Sequence, residues 1–407
     1  MADNAAMKIR ALLPPPGGLA TPPSAFAAAL IAALGGFGGT VALIVQAGQR
    51  LGGSPGQITS TVTALCPGIA LAGAGLCLGL RMPIVLAWST LGAALLAAST
   101  GGSTYPLAIG AFSFAATLMI VLGLIPAFGC LANRIPAAIP AATLAGVLLP
   151  FCLALFRTMQ TDWRFVGLLL GVHLVARQRL PTHALLLVLV VAIVVSIVRG
   201  DIAPGAVSAP FGTLTFTTPA FGWQGLVSLG IPLFLVTLVS QNLPGLVVLR
   251  SAGYDPPSRP ILLVTGLAAL LRAPFGALSV NLAAITASIC AGPDAHPQPA
   301  QRWRVGVIYA GLYFLLALFS APLVGLFLAM SPTTIAAITG LALLGPLLNT
   351  LVGMLSMAED REAAVLTFVT IASGVTLLSI GGAFWGLLVG FVALGARRLL
   401  ARRCPWA

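Results

Sequence analysis

"LRAPFGALSVNLAAITASIC" (Leu271 to Cys290) lies in an otherwise apolar stretch, yet Arg272, Pro274, Gly276 and Asn281 interrupt it within about ten residues. Lipid-exposed backbone cannot leave its donors and acceptors unpaired. A broken span therefore survives only where protein or a hydrated cavity surrounds it. Whether this stretch is a kinked helix or a true break decides what the fold is for.

The rest of the chain sets the medium. Its 407 residues are 59% hydrophobic and only 7% charged, against roughly 25% charged in soluble domains. Apolar stretches of spanning length recur from Ser24 to Leu399, each closed by glycine, proline or arginine. The composition predicts an all-α polytopic membrane protein. The net charge of +12 comes from arginines scattered singly between apolar stretches, which build no continuous basic face and exclude a nucleic-acid partner. The six cysteines form no CxxC pair and fall mostly in apolar segments, so neither disulfide nor metal site is expected. Residues 1-24 lack the apolar core and cleavage site of a signal peptide and read as a cytosolic tail.

Apolar windows predict spans near 25-48, 58-78, 82-99, 104-127, 135-156, 163-178, 182-199, 223-249, 260-271, 274-291, 303-329, 332-355, 363-380 and 382-396. With these fourteen spans and both termini in the cytoplasm, fifteen of the twenty Lys and Arg residues fall inside. Only Arg50, Arg157, Arg164, Arg199 and Arg272 fall outside, the bias of the positive-inside rule. Residues 398-407 are then a basic cytosolic tail. Trp163, Trp223 and Trp303 sit at span ends, where an interfacial belt places tryptophan.

Seven spans on each side of about residue 210 suggest duplication. "LRMPIVLAWSTLGAAL" (80-95) lies over "LRAPFGALSVNLAAIT" (271-286), matching Leu80/Leu271, Arg81/Arg272, Pro83/Pro274, Leu91/Leu282 and Ala93/Ala284, with Thr90 opposite Asn281. "RIPAAIPAATLAGVLL" (134-149) resembles "MSPTTIAAITGLALLG" (330-345) at a slightly larger offset. Because seven is odd, the units enter the membrane from opposite sides, as an inverted repeat.

In that frame, spans 3 and 10 are each an extended entry followed by a half-helix. One starts near Ser89 or Thr90 and the other near Asn281. Ser, Thr and Asn are good N-cap residues, and two half-helix N-termini facing each other make an anion site without a buried lysine. The alternative is that Pro83 and Pro274 merely kink ordinary helices. Gln241 and Asn242, in "VSQNLPG" (239-245), and Gln46, in "LIVQAGQ", are amides within apolar spans that either contact substrate or pack between helices. Trp88 beside the first half-helix either stacks on a ring or packs. Asp294 and His296, in "AGPDAHPQPAQRW", are the best proton-carrying candidates; a loop turn with Asp294 paired to Arg302 or Arg304 is the alternative. No HExxH, nucleophile elbow or aspartate-rich motif points to an enzyme.

"NLAAITASICAGPDAHPQPAQRW" (281-303) and "RIPAAIPAATLAGVLLPF" (134-151) resemble the benzoate:proton symporter family of bacterial inner membranes. The resemblance implies the seven-plus-seven fold shared with nucleobase and sulfate or bicarbonate transporters. It implies a core domain in two parts, 25-127 (spans 1-4) and 211-330 (spans 8-11), and a gate domain in two parts, 128-210 (spans 5-7) and 331-397 (spans 12-14). It further implies substrate between the two half-helices, alternating access, no cofactor, and the homodimers common in the related fold. Proton-coupled nucleobase relatives use glutamates within spans 8 and 10; this chain has none there. The expected function is import of benzoate or a similar aromatic carboxylate with a proton. The competing reading is an uncoupled anion channel or exchanger on the same scaffold.

Overall fold

The structure is a computed structural model of the chain. It describes residues 22-38, 40-99, 104-125, 138-180, 183-202, 211-377 and 382-403. Most of the tail 1-24, the end of the tail 398-407, and the domain boundaries near 127 and 210 lie outside the described residues, as do residues 134-137 of the second repeat comparison.

Helices dominate because the interior offers no water to backbone polar groups, which a helix pairs within itself. In chain order the first are α1 (Pro23–Gly38), α2 (Val41–Arg50) and α3 (Pro55–Leu80). Ser54 starts α3 with a reciprocal capping box to Gln57. Strand β1 (Leu86–Ala87), the short helix α4 (Thr90–Ala97), and helices α5 (Tyr105–Leu124), α6 (Ala138–Arg179) and α7 (Ala184–Val198) follow. The second half holds α8 (Trp223–Ser251), α9 (Ser258–Arg272), β2 (Asn281–Leu282), the short α10 (Ala284–Cys290), α11 (Trp303–Leu318), α12 (Ser320–Ala329), α13 (Pro332–Leu355), α14 (Arg361–Ala372) and α15 (Gly382–Arg403).

Seven helices among the described residues are long and apolar enough to cross a bilayer, or eight with the bent pair α11 and α12. This is fewer than the fourteen expected, and part of the difference has identifiable reasons. The expected spans 135-156 and 163-178 follow one another without a loop in α6, whose 42 residues would reach about 63 Å if straight, twice a bilayer core. Asp162, at φ −146° and ψ 69°, breaks that run, and its carboxylate accepts the N–H of Phe165 at 3.3 Å, an N-cap for the second part. The expected span 303-329 bends by 62° between α11 and α12. Pro322 has no N–H to continue the ladder, and Gly212 donates to the Leu318 carbonyl at 2.9 Å. The expected spans 82-99 and 274-291 supply only α4 and α10, too short to cross alone.

Helix α8 carries two π-helical turns, Leu226–Gly230 and Leu238–Asn242, each followed within two residues by a proline, Pro232 or Pro244, that lacks an N–H. The densest helix packing joins α3 to α11 and α9, and α5 to α9, and elsewhere joins α6 to α13 and α14, and α14 to α15.

At the centre lies a two-residue antiparallel pair, Leu86 opposite Leu282 and Ala87 opposite Asn281. Strands this short are stable here because neighbours complete the pairing. The N–H of Ala283 donates to the Val85 carbonyl at 3.0 Å, and the Tyr309 hydroxyl to the Leu86 carbonyl at 3.0 Å. Gly276, at φ +97°, turns the chain out of the 3-10 turn Ala273–Phe275 toward β2. It lies against Thr61 and the Tyr105 hydroxyl, where a side chain has no room.

Candidate functional site

Two half-helices begin at the strand pair. Each strand leads into its short helix within three residues, so the N-termini of α4 and α10 both lie at the pair. Ser89 caps α4, its hydroxyl accepting the N–H of Gly92 at 2.8 Å. The sequence places this start correctly. The second start differs: α10 begins at Ala284, three residues beyond Asn281, and its cap position is Ala283, with no side-chain bond. Strand pairing with Ala87 holds Asn281 extended, so it cannot serve as the N-cap expected of it. In each half-helix the first N–H groups, those of Thr90 and Leu91 and those of Ala284, Ile285 and Thr286, fall in the turn where a helix supplies no acceptor.

Asn281 acts through its side chain instead. Its Nδ2 donates to Ser279 Oγ at 2.9 Å, and that hydroxyl accepts the Ser89 N–H at 3.2 Å. Its Oδ1 accepts from Asn242 Nδ2 at 3.3 Å, while Asn242 Oδ1 accepts the Leu282 N–H at 3.1 Å. Asn242 is fully buried and Asn281 is 2% exposed. Four polar residues thus link the α4 cap, strand β2 and the second π turn of α8 in one buried network. The π turn aims Asn242 at β2, and Gly245, one turn on, lies against Leu282 without room for a Cβ. Ser279, two residues before Asn281 in "LSVN", is the member that the sequence reading missed.

The other expected residues are divided among different surroundings. Thr90 opens α4 and is half-buried. Gln241 is half-buried beside Asn242 but takes no part in the network. Trp88 is 2% exposed; its indole N–H donates to Thr40 Oγ1 at 2.8 Å, and Phe37 and Tyr313 meet it edge-on at 5.3 and 6.0 Å. No open face of Trp88 remains to stack on a substrate ring, so it packs. Gln46 is also separated from the strand pair, since it lines a cleft at the C-terminal end of α4.

Asp294 and His296 do not form a pair. Asp294 is exposed, whereas His296 is buried and its Nδ1 accepts the Gln298 N–H at 3.1 Å. Arg302 does not pair with Asp294 either. Its buried guanidinium donates through Nε to the His296 carbonyl at 2.9 Å and through Nη1 to the Ala291 carbonyl at 2.8 Å. It closes the C-terminal end of α10, where the helix dipole favours a cation. The Tyr254 hydroxyl donates to the Pro299 carbonyl beside it at 2.7 Å, and burial pushes that phenol above its ordinary pKa. No cluster of metal-binding side chains occurs among the described residues.

Apolar helices of spanning length, enclosing two short-helix N-termini at one buried strand pair, define a membrane transport protein. More particularly, the chain belongs to the benzoate membrane transport protein family, whose model matches residues 20–395. It is 38% identical to the inner membrane protein YdcO of Escherichia coli (strain K12) over 383 residues, 94% of this chain and 98% of that one. It is 32% identical to the benzoate membrane transport protein of Acinetobacter baylyi over 370 residues, 91% of this chain and 94% of that one. Among solved structures it is similar in fold to SLC26A9, with a TM-score of 0.65 at 13% identity, covering 92% of this chain and 65% of the longer one. It is likewise similar to the transmembrane domain of the cyanobacterial bicarbonate transporter BicA, with a TM-score of 0.56 at 13% identity, covering 89% and 96%. The family is one of transporters, not enzymes.

Proposed function

We propose that this protein carries benzoate or a similar aromatic carboxylate, together with a proton, across the bacterial inner membrane by alternating access. The observation that carries the reading is the pair of half-helix starts, Ser89–Thr90 and Ala283–Ala284, held at one strand pair by the Ser279, Asn281 and Asn242 network. First-turn N–H groups and two positive dipole ends suit a carboxylate, and the apolar surroundings suit a ring. The name of the Acinetobacter relative supports benzoate as the type of substrate.

In this reading fourteen segments form a seven-plus-seven inverted repeat with spans 3 and 10 broken and both termini cytoplasmic. The set with α3, α5, α9 and α11 acts as the core, and the set with α6, α13, α14 and α15 as the gate. The sparser packing between these sets than within them supports a relative movement. Asn281, Asn242, Ser89 and Thr90 are the proposed substrate-site residues, with Gln241 beside them. Asp294 and His296, after α10, are the proposed proton-carrying groups. The lipid bilayer is the surrounding partner, and a homodimer is the proposed assembly.

Uptake of radiolabelled benzoate by proteoliposomes tests the reading. An inwardly directed proton gradient should accelerate accumulation above the equilibrium level. Uptake that ignores the gradient would leave an uncoupled channel or exchanger, and no benzoate uptake at all would remove benzoate as the substrate.

A further inference from the structure

A cleft of about 610 Å³ opens where α2, α4 and α8 meet α6, α13, α14 and α15, toward the end of α4 away from the strand pair. Its walls come from α2 (Gln46, Arg50), the end of α4 (Leu95, Ser99), α8 (Ser228) and α6 (Phe151), with further residues of α13, α14 and α15. The volume is that of a small-molecule site. Along α4 its nearest lining residue, Leu95, stands five residues, or about 7.5 Å, beyond the half-helix start at Thr90.

Its electrostatics rest on one residue. Arg50 is the sole charged side chain in the lining; it is exposed, and among the described residues no carboxylate lies within ion-pair distance of it. The C-terminal end of α4 presents about half a negative charge, which by itself repels an anion. A full guanidinium charge reverses that sign, and its fork of donors matches a carboxylate edge. The apolar remainder, including Phe151 and Leu95, gives a ring somewhere to lie. Gln46 Oε1 is buried on the same wall without a hydrogen-bond partner, so this wall is not a completed packing surface.

We propose that this cleft is a second binding site for a small aromatic carboxylate, with Arg50 as its cation, distinct from the half-helix site. It rests on its own cavity and its own charge, so its failure leaves the half-helix reading untouched.

The test uses purified full-length protein in detergent, carrying Ser228→Cys as a reporter with Cys130→Ser and Cys404→Ser; the four described native cysteines are buried. The probe is benzoate, and the readout is the rate of labelling by a charged thiol reagent. Only unoccupied clefts react, so benzoate at ten times its dissociation constant should slow labelling about tenfold. Arg50→Gln should abolish this protection, Arg50→Lys should retain part of it, and neutral benzamide should give none. Ala154→Phe, which fills the cleft from α6 without touching the charge, should itself slow labelling and leave benzoate no further protection to give. Labelling indifferent to benzoate, a Ser228→Cys thiol that never reacts, or full protection in Arg50→Gln would each overturn the proposal.

Discussion

The Asn242 side chain joins two elements distant in sequence: its Nδ2 donates to Asn281 Oδ1 at 3.3 Å while its Oδ1 accepts the N–H of Leu282 at 3.1 Å. One amide thereby fixes both the side chain and the backbone of β2, and with them the place where α10 begins. Most of its consequences follow from what happens when a buried partner is removed.

Asn242→Ala leaves the Leu282 N–H and the Asn281 Oδ1 without partners in a fully buried position. An unsatisfied buried group costs about 1–3 kcal/mol, so destabilisation of about 2 kcal/mol or more is expected. Thermal unfolding in detergent should show a clear fall in midpoint. An unchanged midpoint would mean that water already serves these groups.

Asn281→Ala cuts the link between Asn242 and Ser279, and so loosens the hydroxyl that receives the Ser89 N–H. Benzoate binding should weaken about tenfold, equivalent to about 1.4 kcal/mol, through a less ordered α4 start. Equilibrium binding on purified protein is the measurement. Wild-type affinity in this variant would count against a site at the strand pair.

Gly276→Ala adds a Cβ against Thr61 and the Tyr105 hydroxyl at a positive φ that an L side chain rarely adopts. The backbone term alone costs about 1–2 kcal/mol, and the overlap adds to it. Reduced yield of monodisperse protein and a lowered unfolding midpoint are expected. Gly253→Ala is the comparison, because that glycine also has a positive φ but open space around it. It should lose only the backbone part.

Asp294→Asn should reduce proton-driven uptake several-fold more than it reduces benzoate binding, if the exposed carboxylate carries a proton. Parallel uptake and binding assays separate the effects. Equal losses in both would assign Asp294 to the loop structure.

Much of this was legible in the chain itself. The scarcity of charge dictates a membrane solvent, and Pro83, Pro274 and Gly276 mark where helices cannot continue. Ser89 is a capping residue placed before an apolar run, and it caps. These features are local, and local chemistry is written in consecutive residues. What the sequence misplaced or left open turned on long-range contacts. Asn281 has the chemistry of an N-cap, but β1 claims its backbone from almost two hundred residues away. Gln46 and Gln241 look alike as amides in apolar spans, yet Gln46 lines a cleft and Gln241 sits half-buried beside Asn242. Trp88 could serve a ligand until Phe37, Tyr313 and Thr40 are seen to enclose it.

The sequence by itself determined the medium, where the helices before β1 and β2 stop, and the family, because hydropathy, proline geometry and motif residues need no partner to be read. Only the tertiary structure decided that the two breaks pair with each other, that the second half-helix starts at Ala284, and that Ser279, Asn281 and Asn242 share one network. The physical reason is that a backbone freed from its helix must find hydrogen bonds within the apolar interior. Which donors and acceptors meet it is set by the packing of the whole bundle.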